Sequence, residues 1–477
     1  MAQGGRCPGI GRFLEEVQEA LGEDRIKSID GWPSEPGDVW WPGWADAWPL
    51  LAVHALRGGK TARPPAIVYP GSPGDVARVL DAARRHRVCL VPRGGGSGVL
   101  GGAAPRRCCV VLDLSGLDWI RVYEDRGLVE AGAGVVLWRL EEELAGRGYT
   151  LAYAPQSVRV ATVGGAIAAL GSGYYQPGYG NIEDIVEYVD VATVWGETLR
   201  LGMPPRGRLG PGLKDLILGS EGTLAVVTGA GLRVRPRPVV ASATYEMPSF
   251  QAGLDAARRL VQWNQPAVLR LLDSDEAQLL YGRGGPQLIV AYADDTPGIA
   301  ERLLAKADAV AREQGGRRVE DLFTGWVRER LEYGRRVREL WGGGLWFDTV
   351  EVMAWWDRLD AVNRGVKQAL AGETLAVFSH ASHFYPTGGA LYFTLVAEAS
   401  PARIARAWRK LAETVEEAGA VPGHHHGIGT HRLGLIAGDC PAWYRLYCRV
   451  KNALDPESVL NPHALPAGCR RCTREEW

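Results

Sequence analysis

The chain has almost no excess charge: 54 lysines and arginines face 55 aspartates and glutamates, a formal −1 over 477 residues. Without a global positive field to gather a polyanion, nucleic acid is a poor main partner, and a small-molecule or lipid-like substrate fits better. No uninterrupted apolar run reaches the ~18 residues of a membrane-spanning helix. The opening MAQGGRCPGIGRFLEEV lacks the basic-then-apolar order of a signal peptide. A cytoplasmic chain is expected; peripheral contact with a membrane and assembly as a homodimer are both compatible with this. Cysteine is sparse. Of the eight, only Cys469 and Cys472 form a CxxC, and no second pair completes a zinc site, so the pair reads as part of a tail. Lysine is scarce beside arginine, a bias that coding preference or a hot habitat would produce and that names no reaction.

What is present exceeds one core, because single cores stop growing at about 250–300 residues. Residues 1–62 read as a lead-in, with the helix FLEEVQEALG followed by a Pro/Gly/Trp stretch from Trp32 to Trp48 that is expected to pack on the main body. Residues 63–238 alternate β and α signals. AIVYP and VCLVP read as strands around a helix capped by Ser72 with Pro73 at its first position, and CCVVLDL, LVEAGAGV and the helix VVLWRLEEELAGRGY follow. Residues 239–420 place strands such as AVLRLLD, PQLIVAYA and ALYFTLVAE between arginine-rich helices, the pattern of a separate cap. Residues 421–477 read as a helical C-terminal segment. The fold class is therefore α+β in two domains.

Gly96-Ser97-Gly98-Val99-Leu100-Gly101 formally matches the dinucleotide fingerprint GxGxxG. Its context argues against that reading, since Pro105 and the β-run CCVVLDL arrive where a long helix should open. The glycines retain a physical meaning: Gly94, Gly95 and Gly96 can take φ > 0 and turn several N–H groups into one concavity suited to a pyrophosphate.

Four segments in order, PRGGGSG, APQSVRVATVGG, GSGYYQPGYGNIEDIV and LILGSEGTLAVVTGAGLRVRP, resemble the FAD-binding domain of the vanillyl-alcohol oxidase/p-cresol methylhydroxylase family. The resemblance implies a two-lobed FAD domain, an antiparallel-sheet cap that holds the substrate, and a C-terminal segment returning to the flavin. It implies FAD contacts at Pro92, Arg93, Gly94, Gly95, Gly96, Ser97 and Gly98; at Gln156, Ser157, Val158, Arg159, Val160, Ala161 and Thr162; at Ala169, Leu170, Gly171 and Ser172; and at Glu221, Gly222, Thr223, Leu224, Ala225, Val226 and Val227. No histidine lies in the glycine loop, where some relatives attach the cofactor, so non-covalent FAD is expected.

GYGNIEDIV, VEVMAWWDRL, TGGALYFTL and GHHHGIGTHR resemble the alkyldihydroxyacetonephosphate synthases within that family. Six of nine histidines fall between His380 and His431. The run His424, His425 and His426 read alone is a solvated loop or a metal pocket; by resemblance it lies beside the flavin, where imidazole can move protons near neutral pH. Tyr392 read alone is strand packing; by resemblance it is the acid/base group. Arg270 alone suggests an ion pair with Asp273 or a similar acid, and by resemblance an arginine needed for activity. Arg338 in RRVREL matches, across a one-residue gap, the arginine that meets the substrate phosphate, for which a guanidinium fork is suited.

The resemblance thus implies exchange of the acyl group of acyl-dihydroxyacetone phosphate for a fatty alcohol through an adduct at flavin N5, a step in ether-lipid synthesis without net oxidation. SHASHFY departs from that pattern with two histidines. FAD-linked 2-hydroxy-acid dehydrogenases (D-lactate or glycolate type) use a histidine-bound metal, so His380, His383 and the triplet could hold zinc or manganese. Against this, Tyr392 stands where those enzymes have a metal histidine and GHHHG replaces GEHG, so no metal is expected. A flavin-binding scaffold that has lost catalysis is the third reading.

Overall fold

The computed structural model describes residues 7–28, 45–51, 63–106, 108–205, 207, 210–296, 298–332, 344–436 and 440–469. The first helix, Ile10–Leu21, buries Phe13 and Val17 against the helix Pro73–His86. That second helix begins as its sequence dictates: Ser72 Oγ accepts from Asp75 N at 3.1 Å, and Pro73, whose missing N–H costs nothing there, opens the first turn. Of the tryptophan-rich stretch, Trp48 is described and packs as expected, its Nε1 donating to His431 Nδ1 at 2.9 Å. Residues 29–44 lie outside the described residues.

Two sheets share one core in the first half. A four-stranded sheet runs in the order Ile26–Ser28, Ala66–Val68, Cys109–Asp113, Cys89–Arg93, parallel except at its first pair. A five-stranded antiparallel sheet runs Ile120–Tyr123, Leu128–Gly132, Val226–Arg233, Val186–Ala192, Thr198–Leu201. The helix Pro73–His86 packs against strands of both. The helix expected over VVLWRLEEELAGRGY is shorter, Leu137–Ala145, because Tyr149–Thr150 pairs as a strand with Arg235–Pro236.

The second half is a seven-stranded antiparallel sheet in the order Arg317–Val319, Val239–Glu246, Gln287–Asp294, Val268–Leu272, Ala376–Tyr385, Gly388–Glu398, Leu345–Trp355. Period-2 alternation assigns its faces. Leu269, Leu271, Leu391, Phe393 and Leu395 bury against the helices Phe250–Trp263, Leu359–Leu370 and Pro401–Glu417. Arg270, Tyr392 and Thr394, between them, face the opposite side, where a cavity opens toward the first half.

The C-terminal segment ties back to the first half. Lys451 and Asp455, both fully buried, pair with each other, while Lys451 Nζ donates to the carbonyls of Thr223 (2.7 Å) and Leu460 (2.8 Å). Leu90 N donates to Val459 O and Asn461 N to Leu90 O, each at 2.8 Å. One expectation is corrected here. Cys469 is not part of a loose tail: it is buried and disulfide-bonded to Cys448, and Cys7–Cys108 and Cys89–Cys109 are two further bridges. The spacing of the CxxC gave no hint of this, because the partner lies 21 residues away on a helix. Cys472 lies outside the described residues. No helix among the described residues is long and apolar enough to cross a membrane.

Candidate active site

A cavity of about 1450 Å³ lies between the two halves. Its floor is a pair of interlocked loops. A Cβ on Gly94 would sit 2.2 Å from Thr162 Oγ1, and one on Gly95 would sit 1.7 Å from the carbonyl oxygen of Val160. Glycine is therefore required at both positions by close approach of one backbone to another. The expected left-handed run is corrected: of these three glycines only Gly96 has positive φ, at +69°. Arg93 braces the loop, its Nη1 pairing with Asp113 at 2.8 Å and its Nε donating to Ala45 O at 3.0 Å.

Most of the FAD contacts expected from sequence line this cavity: Pro92 to Gly98, Gln156, Ser157, Arg159 to Thr162, Ala169, Gly171, Ser172, Glu221, Gly222, Val226 and Val227. Five are held behind it. Val158, Leu224 and Ala225 pack in the core, Thr223 is fully buried with Oγ1 accepting from Tyr447 Oη at 2.7 Å, and Leu170 lies close against Gly219. Glu221 does more than line the wall. Its carboxylate accepts from Ile428 N at 2.6 Å and Gly429 N at 2.8 Å, fastening the histidine loop to the first half, and burial pushes its acidity weaker than usual.

The opposite wall is histidine-rich. Tyr392 Oη lies 3.3 Å from His425 Nδ1; His425 Nδ1 lies 2.8 Å from His424 Nδ1; and His424 Nε2 lies 2.7 Å from Tyr385 Oη. The His380 ring stacks on the ring of Tyr392 at 4.7 Å, while its Nδ1 is 2.9 Å from Glu276, whose other oxygen pairs with Arg270 at 3.0 Å. Arg270 thus has an acidic partner, as one reading of the sequence expected, but it is Glu276 and not Asp273. His383 completes the cluster, its ring 5.0 Å from that of His425.

Burial dominates the electrostatics. It pushes Tyr392 well above the usual phenol range and Tyr385 up to about 12. It holds His424 down to about 4, and His425 and His383 well below the usual imidazole value, with neighbouring imidazoles adding to the effect. Glu351 goes the other way. Burial alone would weaken it as an acid, but Arg432 and His426 together outweigh that and hold it well below the carboxylate range. Its oxygens accept both Arg432 Nη atoms at 2.8 Å and the backbone N–H groups of His424 and His426 at 3.2 Å, and His426 Nδ1 lies 2.5 Å from its Oε2.

Of the expected site residues, Tyr392, His425, His426 and Arg270 line the cavity, His424 stands behind His425, and Arg338 lies outside the described residues. Sequence reasoning missed Glu276, Glu351, Arg432, Asn181 and Arg330. Arg330 lines the cavity with its guanidinium over the ring of Tyr174 (4.3 Å), donates to the carbonyls of Ala154 (3.2 Å) and Pro155 (3.0 Å), and makes no ion pair among the described residues. Its Nε is buried without a partner, as is that of Arg270. Only the position of Arg330 in the run WVRER could have singled it out, and arginine is common throughout this chain. Among the described residues, the one grouping with metal-ligand spacing is Cys89, Cys109 and His463, in which the two sulfurs are bonded to each other.

Residues 64–202 match the model of an FAD binding domain, and residues 237–465 that of the C-terminal domain of FAD linked oxidases. The chain is 27% identical to an alkyldihydroxyacetonephosphate synthase of Caenorhabditis elegans over 85% of its length and 76% of the relative's. It is 23% identical to a D-lactate dehydrogenase of Archaeoglobus fulgidus over 88% of its length and 95% of the relative's. A solved alkyldihydroxyacetonephosphate synthase superposes with a TM-score of 0.80 at 20% identity, covering 94% of this chain and 85% of that one. The glycine loops, which keep side chains out of the cavity floor, and the size of the cavity suit FAD.

Proposed function

From the premise that this chain belongs to the FAD-linked oxidases and is an FAD-dependent enzyme, we propose that it exchanges the acyl group of an acylated dihydroxyacetone phosphate for a long-chain alcohol. The observation that carries this reading is the Tyr392–His425–His424 chain on the cavity wall, with the guanidiniums of Arg270 and Arg330 among those lining the same cavity. In the balanced exchange the ester C–O bond breaks, a new C–O bond forms to the alcohol oxygen, and the alcohol proton leaves with the released fatty acid.

Non-covalent FAD, held by the loops 92–98 and 156–162, supplies an electron-pair sink for the substrate carbon when bound. The chain's own residues do the rest. Burial keeps Tyr392 protonated and His425 neutral, so Tyr392 can donate a proton while the imidazoles accept one. Arg330, a cation on the cavity wall without an acidic partner among the described residues, is positioned to meet an anionic head group, and Arg270 adds a second donor through its free Nε. Glu351 and Arg432 hold the histidine loop in place.

A second reading, oxidation of a 2-hydroxy acid, is favoured by one observation: His380, His383 and His425 surround Tyr392 with ring separations of 4.7, 5.7 and 5.9 Å. The test is anaerobic. Mixing the purified flavoprotein with acyl-dihydroxyacetone phosphate and hexadecanol should release fatty acid with no electron acceptor. Bleaching of the flavin by D-lactate or glycolate, with no fatty acid released from the phosphate ester, refutes the exchange reading.

A further inference from the structure

His383 occupies a position that a regular strand would not give it. On Ala376–Tyr385, Phe378, His380 and Ser382 line the cavity by alternation, so residue 383 should face the helices. A register shift falls between Ser382 and Tyr385, and His383 has φ +48°, a left-handed conformation rare for a residue with a Cβ. The result is that Phe384 fills the core and His383 joins His380 on the cavity wall. Such conformations are unfavourable and persist where the surroundings over-determine them, and bulges of this kind re-aim side chains beside active sites.

Hydrogen bonding fixes where its proton sits. A carboxylate only accepts, so the Asn181 atom 3.2 Å from Glu183 Oε1 is the amide nitrogen Nδ2, which also donates to Tyr385 Oη at 2.9 Å. Asn181 Oδ1 therefore faces Ser172, whose hydroxyl gives it its single proton. With that proton committed, Ser172 Oγ can only accept from His383 Nδ1, 2.8 Å away, which must be N–H. The lone pair is left on Nε2, for which the described residues show no hydrogen bond. Tyr385 follows the same logic on the other branch: it accepts from Asn181 and so donates to His424 Nε2.

We propose that His383 is the base of this cavity, its Nε2 lone pair kept free by the Glu183–Asn181–Ser172 chain to take the hydroxyl proton of the alcohol substrate. The alcohol O–H bond breaks, an N–H bond forms at Nε2, the oxygen keeps the electron pair with which it bonds to carbon, and the proton departs with the carboxylic acid product. This rests on the cavity being the reaction chamber of an alcohol-using flavoenzyme. Burial, with His424 and His380 nearby, keeps the imidazole neutral and able to accept.

The tautomer is measurable without turnover. In holoenzyme labelled with 15N-histidine, two-bond proton–nitrogen correlations distinguish the two neutral forms, and His383→Gln identifies the His383 signals by their loss. The expected result is hydrogen on Nδ1; hydrogen on Nε2 overturns the proposal whatever the reaction is. Ser172→Ala, which removes the acceptor, should let the Nε2–H form appear. In kinetics, His383→Gln should keep FAD and lower kcat by about 10²–10⁴-fold with little change in KM, and added imidazole should restore part of the rate to His383→Gly. An unchanged kcat in the FAD-loaded Gln variant, or a loss in FAD-loaded His383→Gly that imidazole does not restore, overturns it. If instead neither substrate class reacts with the wild type while Nδ1 carries the hydrogen, the reading of the reaction fails and the tautomer lock stands.

Discussion

Replacing Glu351 with glutamine should cost more stability than almost any other single polar substitution in this chain. The carboxylate is fully buried; it is the common acceptor for the Arg432 guanidinium, which is 3% exposed, and for two backbone N–H groups of the histidine loop, and it lies beside the His426 ring. Glutamine keeps the shape but leaves the Arg432 charge buried without an acid to balance it. Breaking a buried pair in this way costs about 3–5 kcal/mol. At roughly 2–4 °C per kcal/mol for a unit of 150–250 residues, the unfolding midpoint should fall by roughly 10 °C. The assay is thermal unfolding followed by tryptophan fluorescence, with visible absorbance reporting retained FAD. The double variant Glu351→Leu/Arg432→Leu removes both charges and should recover most of the loss, as apolar replacement of both partners is often close to neutral. The pH dependence has a definite sign. Because Glu351 in the folded chain is held well below its unfolded value, its contribution is complete above that unfolded value and is lost as pH falls through the folded one. The Gln variant should lack that acid-side loss. A midpoint drop equivalent to less than about 1 kcal/mol, or a double variant no more stable than the single one, would refute the reasoning.

Four further outcomes are expected. Gly95→Ala, whose Cβ would meet the Val160 carbonyl at 1.7 Å, should force the two floor loops apart and yield protein without bound FAD, read as the ratio of visible to ultraviolet absorbance. Tyr392→Phe should keep FAD and the fold yet lose about 10²–10⁴-fold in kcat; near-normal turnover would remove Tyr392 from the chemistry. His424, lowered by burial to about 4 from 6.5, stays neutral when folded while the unfolded chain takes up its proton. Stability should therefore be complete above about pH 6.5 and decline toward pH 4, by roughly 1.4 kcal/mol per pH unit from this group; a His424→Asn variant with an unchanged slope in chemical denaturation would contradict this. Denaturation in acid or guanidinium should release all the flavin as free FAD, and flavin remaining with the precipitated chain would show a covalent link.

Much of the architecture was legible because its causes are local. Ser72 and Pro73 start a helix wherever they precede an apolar 3.6-residue period, and ALYFTL alternates in a way only a two-faced strand uses. The histidine run was visible as composition and Tyr392 through its family resemblance. The partners were not: Glu351 lies 81 residues from Arg432, Ser172 lies 211 from His383, and nothing in one dimension ties them. The glycine loop was recognised for a partly mistaken reason, since Gly94 and Gly95 are glycines through contact with a loop more than sixty residues later and not through φ.

The sequence by itself determined many of the strands and helices and the glycine-rich loop, because helix caps, apolar periods and tight turns depend on neighbours a few residues apart; the kind of cofactor came from the resemblance of four ordered motifs to a known family. Only the tertiary structure decided which way His383 points, which nitrogen carries its hydrogen, which arginine has an acid and which does not, and where the cysteines find partners. Those are properties of groups within about 3 Å of one another inside a dry interior. There each donor must find an acceptor, and the choice is made by packing segments that the chain keeps far apart.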